Sequence, residues 1–122
     1  MMKTILIVDD EHDIATAIEM VLTFEGYQTF HAQNGQEALD LLKTMATPAL
    51  IISDLMMPVL NGYEFVRELR TNPVHHSIPV IITSAGQLDE KRLPLQTNLW
   101  FLRKPFDLDK LITLVEQLVP KS

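Results

Sequence analysis

Asp9, Asp10, Asp54, Ser84 and Lys104 each end or directly follow a short apolar run, and their side chains suit metal and phosphorus chemistry. The acids Asp9-Asp10 follow Thr4-Ile5-Leu6-Ile7-Val8, and Asp54 follows Leu50-Ile51-Ile52-Ser53. Ser84 ends Pro79-Val80-Ile81-Ile82-Thr83, and Lys104 comes just after Trp100-Phe101-Leu102. Three carboxylates brought to one place repel and raise one another's pKa. A divalent cation removes that penalty, and magnesium prefers hard oxygen donors. A lysine and a hydroxyl pointing at the same place suit phosphoryl oxygens. An aspartate, ionised at neutral pH from a reference pKa of about 3.9, can attack phosphorus if cations offset the charge on the phosphoryl group. The product would be an acyl phosphate. Taken singly, the acids read as helix caps and Lys104 as a surface charge; it is their agreement at successive run ends that points to a site.

The elements that must position these residues follow from the apolar pattern. The runs at Thr4–Val8, Leu50–Asp54, Pro79–Ser84 and Trp100–Leu102 are continuously apolar, as in strands buried on both faces of a parallel sheet. Tyr27 to Ala32 reads as a less apolar strand nearer an edge. Between the strands, Ile14, Ala17, Ile18, Val21 and Leu22 recur at helical spacing from Asp13 to Glu25, closed by Gly26. Asn34-Gly35-Gln36-Glu37 has the form of a capping box and opens a helix through Ala38, Leu41, Leu42 and Met45. Pro58 keeps the Asp54 strand from continuing, and Asn61-Gly62 reads as a turn into a helix with Phe65, Val66 and Leu69 inward and Arg67, Glu68 and Arg70 outward. Asn72-Pro73 ends that helix. Asp107 caps a last one, with Leu108, Leu111, Ile112, Val115 and Leu118 on one face. Strands alternating with helices predict a doubly wound α/β fold with a parallel sheet. The carboxyl ends of the strands then share one edge, where such folds place their sites.

Composition narrows the function. At 122 residues without cysteine, the chain is one domain in which disulfides and cysteine-ligated zinc are excluded. No run approaches the ~20 apolar residues of a membrane span, and Asp9-Asp10 interrupt the first apolar run too early for a signal peptide. A cytoplasmic location is expected. A formal charge of −6 argues against nucleic-acid binding by this chain. Because the chain stops after a single helical pattern, any DNA-binding output domain is expected to be missing or on another polypeptide.

In combination, Ile5-Leu-Ile-Val-Asp-Asp-Glu11, Asn34-Gly-x-Glu-Ala-Leu39, Asp54-Leu-Met-Met-Pro58-x-x-x-Gly62, Pro79-Val-Ile-Ile-Thr-Ser-Ala85 and Lys104-Pro105-Phe106 resemble a response-regulator receiver domain of the CheY-like family. The resemblance runs from Ile5 to Leu118 and implies a flavodoxin-like, five-stranded sheet of order 2-1-3-4-5. It makes Asp54 the phosphoacceptor. Asp10, the Asp54 carboxylate and the Met56 carbonyl would bind magnesium, with Asp9 assisting through water. Ser84 would hydrogen-bond the phosphoryl group, Lys104 would pair with it, and Phe101 takes the aromatic switch position. The Lys104–Pro105 bond would be cis. The chain would then be a single receiver domain over residues 1–122 with no output domain, a signalling domain that catalyses its own phosphorylation and slow dephosphorylation. Its partners would be a sensor histidine kinase or histidine phosphotransfer protein and a downstream effector, with the domain a monomer or weak dimer. In the family, the residues two after the phosphoacceptor and two after the switch hydroxyl flank the path of the attacking water. Here they are Met56 and Gly86, which cannot orient a water, so slow self-dephosphorylation is expected.

Other readings fare less well. A haloacid-dehalogenase-type phosphotransferase would need an acid at position 56, where a methionine cannot transfer a proton. The glycines form neither a G-x-G-x-x-G nor a P-loop. A receiver-like interaction module that is not phosphorylated remains the alternative. His75-His76 reads as solvated, His12 as a bystander (the donor histidine belonging to a partner), and the methionines as gap-filling core residues. Residues 85–99 depart most from the family. Pro94 would break a helix from Asp89 to Leu99, and Thr97-Asn98-Leu99 replaces the usual small pair. A fourth helix that is short or irregular, at most about two turns starting before or at Pro94, is predicted. Leu88, Leu93, Leu95 and Leu99 would anchor it, and pairing of the adjoining output face should be weak or altered.

Overall fold

The apolar runs become strands, and the amphipathic segments between them become helices, except between the last two strands. In a computed structural model, which describes residues 2–93 and 98–121, β1 (Thr4–Val8), α1 (His12–Phe24), β2 (Gln28–Ala32), α2 (Gly35–Leu42), β3 (Leu50–Asp54), α3 (Gly62–Thr71), β4 (Val80–Ser84), β5 (Leu99–Arg103) and α4 (Leu108–Leu118) succeed one another along the chain. The five strands form one parallel sheet of order β2-β1-β3-β4-β5, the flavodoxin-like topology expected. In register, Val8 lies beside Ser53 and Asp54 beside Thr83, so the chemistry-bearing residues finish at one edge.

Residues alternating along a strand feed two cores on opposite faces. Leu6, Val8, Ile51 and Ile82 pack with Ala38 and Leu42 of α2 and with Phe65, Val66 and Leu69 of α3. Ile5, Ile7, Ile52 and Ile81 pack with Ala15, Ile18 and Leu22 of α1 and with Leu111 and Val115 of α4. In α4, Leu114 joins the partly buried contacts of this core, beside Leu108 and Leu118 and in place of the expected Ile112. The sparsely apolar β2 is the edge strand beside β1, as its composition suggested. Tyr27 precedes that strand; it is buried and its hydroxyl donates to the Val119 carbonyl at 2.7 Å, tying the end of α1 to the end of α4.

Several side chains take places other than those expected. The N-x-x-E box of α2 is only half formed. Asn34 accepts from the Glu37 N–H at 2.9 Å, but Glu37 reaches Gln33 instead of its cap. The complete box is at α3, where Asn61 and Glu64 cap one another reciprocally. Arg70 does not point out to solvent: its guanidinium donates to the carbonyls of His76 at 3.1 Å, Ile78 at 2.9 Å and Asn98 at 3.2 Å. That staple folds the loop after α3 inward, and His75 is buried where solvation was expected, with His76 exposed. Met57 is buried and Met45 partly so, but Met2, Met20 and Met56 are exposed, so the methionines are not uniformly core.

The connection between β4 and β5 has no α-helix among its described residues. A single 3-10 turn, Glu90–Arg92, is capped by Asp89. It is moored on α3: the Tyr63 hydroxyl accepts from the Asp89 N–H at 2.7 Å, and the Arg92 guanidinium lies 4.1 Å from the Tyr63 ring centroid. Leu93 is buried in the α2–α3 core, and Leu88 and Leu99 pack against it. The turn thus forms before Pro94, one of the two arrangements expected. A helix starting at Pro94, the anchor Leu95, and Thr97 fall outside the described residues.

Candidate functional site

β1 delivers Asp9 to the shared edge, where its N–H donates to the Ala32 carbonyl of β2 at 3.0 Å. Its carboxylate is almost fully buried and divides its bonds, Oδ1 accepting from the Glu11 N–H at 2.8 Å and Oδ2 from Lys104 Nζ at 3.2 Å. β3 ends in Asp54, 5% exposed. Its Oδ1 takes both the Leu55 N–H at 2.9 Å and Lys104 Nζ at 3.5 Å. The turn after Asp54 is tight enough to require glycine at position 62. A Cβ there would sit 2.7 Å from the Asp54 carbonyl oxygen, inside any real contact distance.

Lys104 follows β5, and its N–H donates to the Ser84 carbonyl at 2.8 Å, so the end of β4 fixes where its side chain starts. The Lys104–Pro105 peptide bond is cis. Ser84 is buried, and its hydroxyl accepts from the Gly86 N–H at 3.1 Å. Phe101, on β5, is 38% exposed.

Burial and then the charge of Asp9 push the Asp54 carboxyl up to about 6, against which Lys104 pulls. Burial also raises Asp9, which the Glu11 N–H and Lys104 partly relieve. Burial alone would lower the Lys104 ammonium, but Asp9 and Asp54 reverse this and hold it above its ordinary value. The site is therefore short of positive charge.

The carboxylates that converge are Asp9, Glu11 and Asp54, whose ligand oxygens lie within 4.8 Å of one another. Asp10, expected as a metal ligand, is exposed and outside this trio. Glu11, read from the sequence as the end of the acidic run but assigned no role, is inside it; the signal was its place one residue beyond the acidic pair. The Met56 side chain is 65% exposed beside the site. Three convergent carboxylate oxygens, with Asp9 and Asp54 both raised above the ordinary carboxylate range, fit a hard divalent cation such as magnesium.

The comparisons with known proteins agree with this geometry. A family model described as "Response regulator receiver domain" matches residues 5–116. Sporulation initiation phosphotransferase F of Bacillus subtilis (strain 168) is 37% identical over 98% of this chain and 96% of its own length. Response regulator Rre1 of Synechocystis sp. is 36% identical over 98% of this chain but only 52% of its own length, so the chain spans about half of that relative. Among solved structures, the signal receiver domain of a signal transduction histidine kinase from Syntrophus aciditrophicus superposes with a TM-score of 0.86 at 34% identity, covering 98% of this chain and 94% of that one. The receiver domain of a sensor histidine kinase from Pseudomonas aeruginosa PAO1, described with magnesium coordinated in its active-site cleft, gives 0.84 at 28% identity over 97% of this chain and 98% of that one.

Proposed function

This chain belongs to the response regulator receiver domain family, and from that premise we propose that it is a phosphorelay receiver that accepts a phosphoryl group on Asp54. The observation that carries the reading is Asp54 itself. It is a nearly buried carboxylate on a rigid strand end, with an ammonium at 3.5 Å and two further carboxylates converging on it. Both partners of its carboxylate fall on Oδ1, which leaves Oδ2 to attack phosphorus. The new Oδ2–P bond forms as the bond from phosphorus to a donor's imidazole nitrogen breaks. The electron pair stays on that nitrogen, and because the other ring nitrogen already carries a proton in the phosphoimidazolium, the imidazole leaves neutral. Magnesium, when bound, would neutralise charge on the phosphoryl oxygens. Asp9 and Asp54 would hold it, with Asp10 and the Met56 carbonyl as the resemblance implies, and the magnesium described in the Pseudomonas relative's cleft supports a cation at this edge.

Lys104 supplies the second positive charge and is already positioned by Ser84. The Ser84 hydroxyl, now engaged by the Gly86 N–H, would turn to the phosphoryl group. That frees room for the exposed Phe101 ring to move inward, so a local charge biases a two-state surface. The donor would be a sensor histidine kinase or histidine phosphotransfer protein and the reader an effector protein. An apolar groove of about 420 Å³ next to Lys104, lined by Ile14, Ile18, Pro105 and Phe106 among others, offers a donor a surface beside the reacting atoms.

Incubation with magnesium and acetyl phosphate tests the reading. One hydrolysis-prone phosphoryl group should appear by intact mass, and Asp54→Asn should abolish it. Full phosphorylation of Asp54→Asn would sink the assignment. No phosphorylation of the unaltered chain by this donor or by a histidine-phosphorylated partner would favour the non-phosphorylated interaction module.

A further inference from the structure

Lys104 has more acid around it than one ammonium needs. Its Nζ lies 3.2 Å from Asp9, 3.2 Å from Glu11 and 3.5 Å from Asp54. Main-chain bonds fix both ends of the Glu11–Lys104 pair. The Lys104 N–H is held by the Ser84 carbonyl. The Glu11 N–H is taken by Asp9 Oδ1 at 2.8 Å, and its carbonyl accepts from the Ala15 N–H at 3.0 Å. Glu11 stands at the N-cap of α1, yet its side chain makes no capping bond. An acid there gains from the orphan N–H groups and the helix dipole; this one gives its carboxylate to Lys104 instead. Asp9 and Asp54 have assigned parts in phosphoryl chemistry, whereas Glu11, the third carboxylate of the trio, carries no assigned step.

We propose that Glu11 is a positioning residue that stores Lys104 in the unphosphorylated protein and must surrender it when Asp54 carries a phosphoryl group. The proposal rests on Asp54 being the acceptor. A phosphoryl group adds charge and three acceptor oxygens at Asp54. The three N–H donors of Lys104, now facing Asp9, Glu11 and Asp54, would turn to it at the expense of Glu11, the most exposed of the three acids. Glu11 stabilises the resting state through Lys104. Its own charge, in the same carboxylate trio as Asp54, also opposes the charge that phosphorylation adds. Both effects disfavour the phosphorylated state, and an equilibrium shifts only through such differential interactions. Glu11 is 56% exposed at its side chain, so the bias is modest.

The test compares the unaltered chain with Glu11→Gln and Glu11→Asp at saturating magnesium. The readouts are affinity for beryllofluoride, a phosphoryl mimic, and the 15N resonance of the Lys104 ammonium. Glu11→Gln should bind the mimic about two- to fivefold more tightly, with the resting Lys104 resonance shifted toward its mimic-bound position. Glu11→Asp keeps the charge but is one methylene short of Lys104, so its resonance should follow that of Glu11→Gln. Unchanged or weaker mimic binding by Glu11→Gln, or a Glu11→Asp resonance identical to that of the unaltered chain, overturns the proposal. Asp54 phosphorylated normally alongside inert Glu11 variants would remove only the role of Glu11. An Asp54→Asn variant that is still phosphorylated would remove the functional reading beneath it.

Discussion

At Asp54 the folded chain holds a proton that the unfolded chain releases, because burial and the neighbouring Asp9 push its carboxyl up to about 6 from an ordinary 3.8. Between those two values the folded state binds more protons, so metal-free stability falls as pH rises through the window and levels off above it. Asp54→Asn removes that penalty. At pH 7 without magnesium the variant should be more stable, by about 1–3 kcal/mol in denaturant unfolding, and the advantage should vanish near pH 3.5. An advantage that does not change with pH would show that Asp54 is not the strained acid. Met56 lies two residues on, with its side chain open to solvent beside the site. Since a thioether cannot orient a water, Met56→Asn or Met56→Glu should shorten the phosphorylated half-life several-fold, measured by the decay of the intact-mass signal; an equal or longer half-life would count against shielding by Met56. Asp9, Asp54, Ser84 and Lys104 were legible in the sequence because strand ends in a parallel sheet must share an edge. Glu11 was not, because its role comes from where its side chain reaches, which spacing along the chain does not encode.

Among the elements, the strands and helices with strong apolar periodicity were readable to within a residue or two, except that α2 stops at Leu42, three residues before the expected Met45. The link between β4 and β5 was readable as a departure. Pro94 and the scarcity of apolar residues there told against a regular fourth helix, and the described part holds one 3-10 turn. What the pattern could not reveal was the mooring. Tyr63 looks like one more apolar position at the start of α3, yet its hydroxyl holds the Asp89 N–H and its ring faces Arg92. Tyr63→Phe should remove a hydrogen bond worth roughly 1 kcal/mol and speed hydrogen exchange at the Asp89 amide about fivefold, leaving α4 unchanged. In the unaltered chain, amides of residues 86–93 should exchange faster than those of α4, since a single turn has few mutually supporting bonds. Protection equal to that of α4 would mean the segment is as firmly built as a helix.

For the whole molecule, a net charge of −6 and a carboxylate trio served by one ammonium predict that a bound cation stabilises the fold. Magnesium at about a hundred times its dissociation constant should add about 2.7 kcal/mol, seen as a rise of roughly 10 °C in Tm that a chelator reverses. Asp54→Asn should take away much of that rise, and a Tm indifferent to magnesium in the unaltered chain would argue against the site. The fold class itself was legible because alternating runs of this length allow few topologies, whereas the inward turn of Arg70 was not, since its partners are backbone carbonyls that any sequence would supply. That staple has a further meaning. Arg70 binds the carbonyls of His76, Ile78 and Asn98, just ahead of β4 and β5, while Asp54, Ser84 and Lys104 lie at or beyond the strands' opposite ends. The backbone tie and the carboxylate site thus sit at different poles of the sheet, so a change at one pole need not disturb the geometry of the other.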